Sequence, residues 1–236
     1  INALTTPKND PEIASVFSGL SVMVTAGPTR EPIDPVRFIS NHSSGLQGLS
    51  LAEAALNAGA QVTLVAGPDV PACNPAINRV DVISATDMHT AVQNNLHGVH
   101  LFIGVAAVAD YRVAKPAEQK IKKKPTDQSH LDLRLIENPD IIASVVDSDQ
   151  ELVVIGFAAE THDTLNHARD KRQRKGLHAI VVNDVSDARI GFNSPDNATT
   201  FITDNAEVSL PRQSKQAIAN NLLQQITDNF LSLIHI

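Results

Sequence analysis

A segment rich in glycine and serine is the first candidate for chemistry. The hexapeptide SSGLQG, residues 43–48, stands directly before a helical pattern, and Gly27 ends an apolar run upstream of it. Glycines let a phosphate approach the backbone, and the first amides of a helix present a partial positive charge to an anion. Gly27, Ser43, Gly45 and Gly48 are therefore candidates for a phosphate site, although capping of the helix by serine explains the same pattern.

The loop between Gly27 and this hexapeptide is long and charged. A dinucleotide-binding GxGxxG motif needs its glycines in a tight turn immediately after the strand, whereas about 17 residues intervene here. Residues 28–42 carry the polar groups Arg30, Glu31, Asp34, Arg37 and Asn41. Their density fits a polar pocket, and a self-paired, solvated loop fits it equally well. Asn41 differs because a neutral amide can donate to a developing oxyanion without adding a titratable charge.

A lysine-rich run, KIKKK at residues 120–124, is the second candidate. In a chain of net charge −7 it forms a local positive island suited to a polyphosphate, and a lysine loop can close over such a ligand. A solvated basic loop is the equal alternative. Upstream, the segment AAVAD at residues 106–110 offers small residues against which a ligand can lie, followed by Asp110, which can also serve as a turn or cap residue.

Two predicted helices add further anion-compatible positions. Asn138 and Pro139 suit the N-cap and the first helical position, which leaves the amides of residues 140–142 free to face a ligand. Lys171 and Lys175 lie four residues apart near the end of the following helix and can grip a phosphate together. Neither pattern requires a ligand. Capping explains the first helix, and cations at the end of the second helix are favourable because they interact with the helix dipole.

Composition excludes several classes of protein. With 19 Lys and Arg against 26 Asp and Glu, the chain is not built to coat nucleic acid or an anionic membrane. Seven Phe, one Tyr and no Trp leave little for stacking on bases or sugars. The lone Cys73 rules out a disulfide framework and any multi-cysteine metal site, and no HExxH or GxSxG motif occurs. The composition is most consistent with a protein that binds a small anionic ligand. We predict no metal site formed by protein side chains.

The elements that must position these residues alternate between strand and helix. Apolar runs predict strands at residues 20–25, 61–66, 80–84, 100–105, 152–157 and 179–182, and helical patterns occupy residues 46–58, 86–96 and 163–175, with a short helix from Asn138. A hairpin at residues 199–210 and a final helix after Ser214 follow. This order predicts a Rossmann-like, doubly wound α/β fold with a mostly parallel sheet, a long inserted loop at residues 106–131 and a C-terminal hairpin plus helix.

The ends of the chain suggest how it is organised. Residues 1–18 are polar and contain proline, so we interpret them as a linker from an upstream domain, with residues 19–236 forming one domain. No apolar run reaches the roughly 18 residues of a membrane span, and the first residues lack the form of a signal peptide. We therefore expect no membrane association and a cytoplasmic location.

Six segments, in this order, resemble the phosphopantothenate-cysteine ligase domains of bacterial bifunctional coenzyme A biosynthesis flavoproteins. They are AGPTREPIDPVRFISNHSSGLQG, GVAAVADYR, KIKK, ENPDII, GFAAET and VVNDVS, and the match spans residues 19 to 230. Family members often have a basic residue just after SSG, where this chain has Leu46 and Gln47. At these two positions the resemblance therefore implies contacts between a phosphate and the backbone, but no contact from a basic side chain.

The resemblance implies a two-step ligation. The carboxylate of 4'-phosphopantothenate attacks the α-phosphate of CTP and expels pyrophosphate, and the amine of L-cysteine then displaces CMP from the acyl-cytidylate. The resemblance implies Mg²⁺ carried by the triphosphate, and FMN only on an upstream decarboxylase domain. It also implies a homodimer with the site near the subunit interface, which the loop at residues 106–131 would cross to close a lid.

Site residues carry over from the resemblance by position. Asn41 and Lys120 are implied as catalytic, and Asn41, Ala106, Ala107 and Asp110 as substrate-binding. The nucleotide-binding set is Gly27, Ser43, Gly45, Gly48, Asp110, Lys120, Pro139, Asp140, Ile141, Ile142, Phe157, Lys171, Lys175 and Asn183.

Two other functions fit a doubly wound sheet. A nicotinamide-dependent oxidoreductase lacks support, because no GxGxxG occurs and the spacing of Tyr111 and Lys115 would need a helix that Pro116 disfavours. The second alternative function is that of a sensor, which binds CTP without converting it to products. Release of pyrophosphate on mixing the chain with Mg²⁺, CTP and 4'-phosphopantothenate separates these possibilities.

Overall fold

A computed structural model describes residues 16–122, 130–148, 151–160, 163–184 and 194–234. Its strands, in chain order, are β1 (Ser21–Ala26), β2 (Arg30–Pro32), β3 (Phe38–Ser40), β4 (Gln61–Ala66), β5 (Asn78–Asp81), β6 (Leu101–Gly104), β7 (Tyr111–Val113), β8 (Leu135–Glu137), β9 (Val153–Glu160), β10 (Ala179–Asp184), β11 (Asp196–Ile202) and β12 (Glu207–Ser214). The helices are α1 (Leu46–Asn57), α2 (Ala85–Asn95), α3 (Ile141–Val146), α4 (Thr164–Arg174) and α5 (Lys215–Ile234).

Eight strands form one central sheet in the order β12-β11-β10-β9-β6-β1-β4-β5. Every neighbouring pair from β10 to β5 is parallel, and β11 and β12 add an antiparallel hairpin at the edge. The chain builds outward from β1 through β4 to β5 and then crosses back to place β6 on the other side of β1. This reversal is the switch point of a doubly wound sheet, so the predicted fold class is confirmed.

Two hydrophobic cores cover the two faces of the sheet. Residues of α1 and α5 pack on one face, and residues of α2, α3 and α4 pack on the other. The inward stripe of α5 consists of Ile218, Leu222, Ile226 and Phe230, all buried, as their four-residue spacing predicts. The cores leave the carboxyl edge of β1, β6, β9 and β10 open between the two helical layers.

Several segments differ from the sequence-based expectation. The polar loop after β1 contains the antiparallel pair β2 and β3, and the long insertion contains β7, which pairs with β8. Three-residue strands leave no readable periodicity, which explains why both pairs escaped prediction. Helix α3 begins at Ile141 and is capped by Asp140, whose side chain accepts from the Ala143 amide, so Asn138 is not the cap. The Asn138 side chain donates instead to the Ala109 carbonyl at 2.8 Å.

The packed structure begins before residue 19. Phe17 is 1% exposed and belongs to the core beside α1, with its amide donating to the Ala58 carbonyl. Residues 1–15, most of the interpreted linker, lie outside the described part of the chain. Among the described helices, none is long and apolar enough to cross a membrane.

Candidate functional site

One cleft of about 660 Å³ opens at the carboxyl edge of the sheet, at the reversal between β1 and β6. It brings together almost all the site residues predicted from the sequence, although these are scattered over more than 150 positions. The predicted residues that line it are Gly27, Asn41, Ser43, Gly45, Gly48, Ala106, Ala107, Asp110, Pro139, Asp140, Ile141, Ile142, Phe157, Lys171, Lys175 and Asn183. Lys120 is the one predicted site residue that does not line the cleft.

Two glycines shape the backbone where α1 begins. Gly27 and Gly45 both have a left-handed backbone, with φ of 84° and 70°. A Cβ on Gly45 would stand 3.1 Å from Gly27 Cα and 2.6 Å from a methyl of Val70, so a side chain there would force its neighbours to shift. Gly45 is itself the N-cap of α1 and has no side chain with which to cap the helix, and Ser43 Oγ accepts from the Gly45 amide at 3.3 Å. The first residues of α1 line the cleft, so an anion bound there would meet the partial positive charge of the helix start.

The loop after β6 forms the middle of the cleft and is held from several sides. Thr25 Oγ1 accepts from the amides of Val105 and Ala106, and Thr29 Oγ1 accepts from the Ala109 amide at 3.1 Å. Both threonines are buried, so their hydroxyls are committed to this loop. The arrangement leaves small side chains and backbone groups facing the cleft, as the segment AAVAD predicts.

Asn41 joins this loop to the segment before α1. Its Nδ2 donates to the Ala107 carbonyl at 2.8 Å, and the Ala107 amide donates to the Gly27 carbonyl at 2.9 Å. Asn41 is exposed and lines the cleft. Because an amide nitrogen carries two protons, the bond to Ala107 leaves a second N–H on Asn41 to offer to an anionic oxygen.

Lysines line the opposite wall, on the side of α3 and α4. Lys175 Nζ lies 2.7 Å from Asp140 Oδ2, and this ion pair lowers the pKa of Asp140 although burial acts to raise it. Burial, and then repulsion from Lys175, lowers the pKa of Lys171. The carboxylates of Glu160, Asp110 and Asp140 oppose this effect. A half-buried lysine pair of this kind favours the arrival of an anion.

Lys120 lies outside the cleft, at an exposed position of the long insertion. The next residue is tied to the loop between β2 and β3, because the Ile121 amide donates to Asp34 Oδ2 at 3.0 Å and the Ile121 carbonyl accepts from Arg37. The Lys120 backbone is thus anchored beside the turn that precedes Asn41. Lys123 and Lys124, the end of the basic run, lie outside the described residues.

Three buried polar residues of the cleft were not among the site residues predicted from the sequence. Gln47, Asn197 and Lys215 are buried and line the cleft next to the start of α1. Gln47 stands inside the hexapeptide, whereas Asn197 and Lys215 come from the hairpin and the final helix, 150 and 168 residues further along the chain. Their position depends on how α5 packs on α1, which no local pattern shows.

Metal ligands are sparse in the part of the chain that the structure describes. No group of three or more His, Cys, Asp or Glu side chains there could hold a metal ion. Asp140, one of the cleft carboxylates, is already paired with Lys175. A divalent cation entering this cleft would therefore depend on ligand oxygens for most of its coordination.

Doubly wound α/β domains bind ligands in a crevice beyond the carboxyl ends of their strands, at the switch point, and this chain is a domain of that class. Within the class, it belongs to the DNA/pantothenate metabolism flavoprotein C-terminal domain family, whose model matches residues 17–230.

Two curated relatives share one name. The chain is 46% identical over 212 residues to the coenzyme A biosynthesis bifunctional protein CoaBC of Escherichia coli strain K12, and the match covers 89% of this chain and 52% of that protein. The CoaBC protein of Vibrio cholerae is 48% identical over 212 residues, with 89% and 53% covered. The chain thus spans about half the length of the curated relatives it matches.

Solved structures share the fold. The crystal structure of the C-terminal domain of a coenzyme A biosynthesis bifunctional protein CoaBC superposes with a TM-score of 0.76 at 34% identity, covering 91% of this chain and 97% of that one. A more distant neighbour, the H337A mutant of Cab2 in complex with phosphopantothenate-cysteine, has a TM-score of 0.71 at 16% identity and covers 90% and 88%. At that identity the likeness shows the fold alone.

Proposed function

We propose that this chain is a CTP-dependent ligase that joins 4'-phosphopantothenate to L-cysteine in coenzyme A biosynthesis. One observation carries the proposal: a single cleft gathers the glycine turn, the Asn41 amide and the lysine pair that the ligase resemblance implies. The relatives' description as bifunctional coenzyme A biosynthesis proteins supports the same pathway.

The first step of the proposed reaction brings two anions together. A carboxylate oxygen of 4'-phosphopantothenate forms a bond to the α-phosphorus of CTP, and the bond from that phosphorus to the bridging oxygen breaks. The electron pair leaves on pyrophosphate, and the product is an acyl-cytidylate. No proton moves in this step, so charge neutralisation matters more than acid or base catalysis.

Different groups of the cleft serve this first step. Amides at the start of α1 and the ammonium groups of Lys171 and Lys175 supply positive charge to the reactants. The free N–H of Asn41 is placed to hold the attacking carboxylate and then the acyl-cytidylate, because Asn41 borders the loop on which both reactants would lie. Asp110 and Lys120 are assigned to the nucleotide by resemblance.

The second step transfers the acyl group to cysteine. The amine nitrogen of L-cysteine attacks the acyl carbon, the bond between that carbon and the phosphate oxygen breaks, and CMP leaves with the electron pair. The amine gives up a proton to solvent as the amide forms. Orientation of the acyl-cytidylate in a preorganised cleft is the main contribution that the described residues make to this step.

The proposal extends to the whole protein. Mg²⁺ would enter with CTP and neutralise phosphate charge, held mainly by the triphosphate oxygens. FMN would belong to a decarboxylase domain fused upstream, and two copies of the ligase domain would form a homodimer. Because every reactant is a charged, water-soluble metabolite, we place the reaction in the cytoplasm, with no role for nucleic acid or a membrane.

Pyrophosphate release tests the function. We expect release when the chain is mixed with Mg²⁺, 4'-phosphopantothenate and CTP, and much less with ATP, GTP or UTP. Omitting 4'-phosphopantothenate is the control for nucleotide hydrolysis. Addition of L-cysteine should then produce CMP and phosphopantothenoylcysteine in equal amounts by mass spectrometry. Tight binding of CTP without any pyrophosphate release would replace the ligase with a nucleotide sensor.

A further inference from the structure

The backbone of Ala109, in the loop after β6, is held on both sides by side chains from other segments. Its amide donates to Thr29 Oγ1 at 3.1 Å, and its carbonyl accepts from Asn138 Nδ2 at 2.8 Å. Thr29 lies between β1 and β2 and is fully buried, whereas Asn138 lies between β8 and α3. We refer to Thr29 and Asn138 together as the Ala109 clamp, because they join three distant parts of the chain at one residue.

Both members of the Ala109 clamp are themselves fixed. Ser40 Oγ donates to the Thr29 carbonyl at 2.7 Å. Arg112 Nη1 donates to Asn138 Oδ1 at 3.1 Å, which makes this oxygen the acceptor and turns Nδ2 toward the Ala109 carbonyl. The Asn138 backbone amide also donates to the Asp110 carbonyl at 2.8 Å. Asn138 therefore holds two successive residues of the loop.

The residue that the Ala109 clamp holds in place is Asp110. Asp110 is exposed and lines the cleft, and its charge acts to raise the pKa of Lys171 on the opposite wall. The segment AAVAD has small side chains that bury little apolar surface, so its course depends on hydrogen bonds from other segments. Thr29 is not part of the cleft lining, and any effect of its hydroxyl on a ligand must therefore pass through the loop.

We propose that Thr29 and Asn138 are positioning residues, which hold the loop after β6 so that the Asp110 carboxylate is already in place when the nucleotide binds. This inference rests on the proposed function, in which Asp110 is assigned to CTP. A carboxylate that is ordered during folding loses little conformational freedom on binding, and the affinity for the nucleotide is higher for that reason. The role requires no contact between Thr29 and the nucleotide.

Substitution of Thr29 by valine tests the proposal, because valine has nearly the same shape and no hydroxyl. The Ala109 amide would lose its acceptor and the loop would be held on one side only. We expect Thr29→Val to raise the Kd for CTP, measured with Mg²⁺ by calorimetry, by about fivefold or more. Thr29→Ser keeps the hydroxyl and should return the Kd to within about twofold of the wild-type value.

Thr203→Val is the matched control. Thr203 Oγ1 also accepts from backbone amides, those of Asn205 and Ala206, in the turn between β11 and β12 and outside the cleft lining. Its loss should lower the Tm and leave the Kd for CTP unchanged. Equal weakening of CTP binding in Thr29→Val and Thr203→Val would reduce the role of Thr29 to general stability and overturn the proposal.

A double-mutant cycle with Asp110 separates positioning from other effects. Asp110→Asn alone should weaken CTP binding, and adding Thr29→Val to it should raise the Kd by less than about twofold further, because the group that Thr29 positions is already lost. Asn138→Ala should likewise add little to Thr29→Val, since either change opens the clamp. The proposal is wrong if the losses are additive, or if Asp110→Asn or Thr29→Val binds CTP as tightly as the wild type.

Hydrogen exchange on the unaltered, ligand-free protein covers the case in which a variant does not fold. The amides of Ala109 and Asn138 lie outside the strands of the central sheet, yet they should exchange as slowly as the amides of β6. Rapid exchange at Ala109 would refute the clamp.

The outcomes also distinguish this inference from the proposed function. Coupling between Thr29 and Asp110 in a chain that releases no pyrophosphate would contradict only the ligase activity. Release of pyrophosphate without that coupling would contradict only the positioning role. Failure of the unaltered chain to bind CTP would overturn both.

Discussion

The side-chain amide of Asn41 donates to the carbonyl of Ala107 at 2.8 Å and joins two segments that lie 66 residues apart. One segment leads into the glycine turn and the other forms the middle of the cleft. This hydrogen bond, together with the bond from the Ala107 amide to the Gly27 carbonyl, helps to fix the relative position of the two surfaces between which the reactants would lie. The chemistry of this one side chain should affect the whole site.

Replacing Asn41 by aspartate tests that relationship. A carboxylate cannot donate to the Ala107 carbonyl, and its charge would repel an anionic substrate, so we expect Asn41→Asp to slow turnover by about a hundredfold. Rapid quenching should show accumulated acyl-cytidylate if the second step is slowed more than the first. Asn95→Asp is the matched control, because Asn95 also donates to a carbonyl at 2.8 Å, within α2 and away from the cleft. Wild-type kinetics in Asn41→Asp would remove this residue from the mechanism.

A methyl group on Gly45 should damage the glycine turn. Gly45→Ala forces an ordinary residue into a left-handed backbone, which costs about 1–3 kcal/mol, and it also places Cβ against Gly27 and Val70. We expect lower stability in urea and weaker CTP binding. Gly98→Ala is the control, because Gly98 has φ of 73° and open space around its Cβ position. If both variants lose the same stability and bind CTP equally, close packing at Gly45 has no role in binding.

Lys120 should matter more than its exposed neighbour. We expect Lys120→Gln to raise the KM for CTP severalfold, because the resemblance assigns this lysine to the nucleotide and the adjacent Ile121 is anchored near the site. Lys122→Gln removes the same charge two residues further along the exposed insertion and should have a smaller effect. Equal and small effects would instead favour a solvated basic loop without a ligand.

Asp34 anchors the insertion and should make it sensitive to acid. Its fully buried carboxylate accepts from the Arg37 guanidinium and from the amides of Val36, Arg37 and Ile121. The hydrogen bond from Arg37 holds the pKa of Asp34 well below its usual range, although burial opposes this. Because the folded protein favours the ionised form, the stability from Asp34 is present above pH 4 or so and is lost as the pH falls further.

Hydrogen exchange measures this anchor. We expect Asp34→Asn to lower the Tm near neutral pH and to speed exchange of the Ile121 amide, since asparagine replaces one acceptor oxygen by a donor. Asp69→Asn is the control, because the ion pair of Asp69 with Arg30 is largely exposed and contributes little. Unchanged exchange at Ile121 would show that the insertion is held by other contacts.

Protonation of His178 should lower the stability of the folded protein in mild acid. Its Nδ1 accepts from the Val154 amide at 3.1 Å, which requires an unprotonated nitrogen, and burial lowers the pKa of His178 although Asp204 opposes this. The unfolded chain therefore binds a proton more readily, so stability should fall as the pH drops below about 6.5. Thermal scans from pH 7.5 to 5 should show this slope, and His178→Gln should flatten it. His97→Gln, at an exposed position, should leave the slope unchanged.

The fold was largely predictable because the alternation of strands and helices follows from the spacing of apolar residues within each segment. Apolar runs such as that of β4 and the stripe of α5 need no distant partner to be recognised. The cleft could be predicted for a related reason. Carboxyl ends of parallel strands meet at one edge, so Gly27, Ala106 and Asn183 had to approach each other once the sheet was parallel.

The parts that escaped prediction depend on contacts between distant segments. The hydroxyls of Thr25 and Thr29 hold the loop after β6 about 80 residues away, and nothing next to them in the chain signals this. Lys215 reads locally as an ordinary surface lysine at a helix start. Its burial follows from packing of α5 against α1, a tertiary effect that local pattern does not contain.

The lining of the cleft draws on the chain from Gly27 to Lys215, and neither half of the domain carries a complete site. A bound ligand would contact both the N-terminal and the C-terminal half of the domain. Local unfolding of either half would therefore require the ligand to dissociate first. Saturating ligand should therefore delay proteolytic cutting throughout the domain, including at bonds far from the ligand itself.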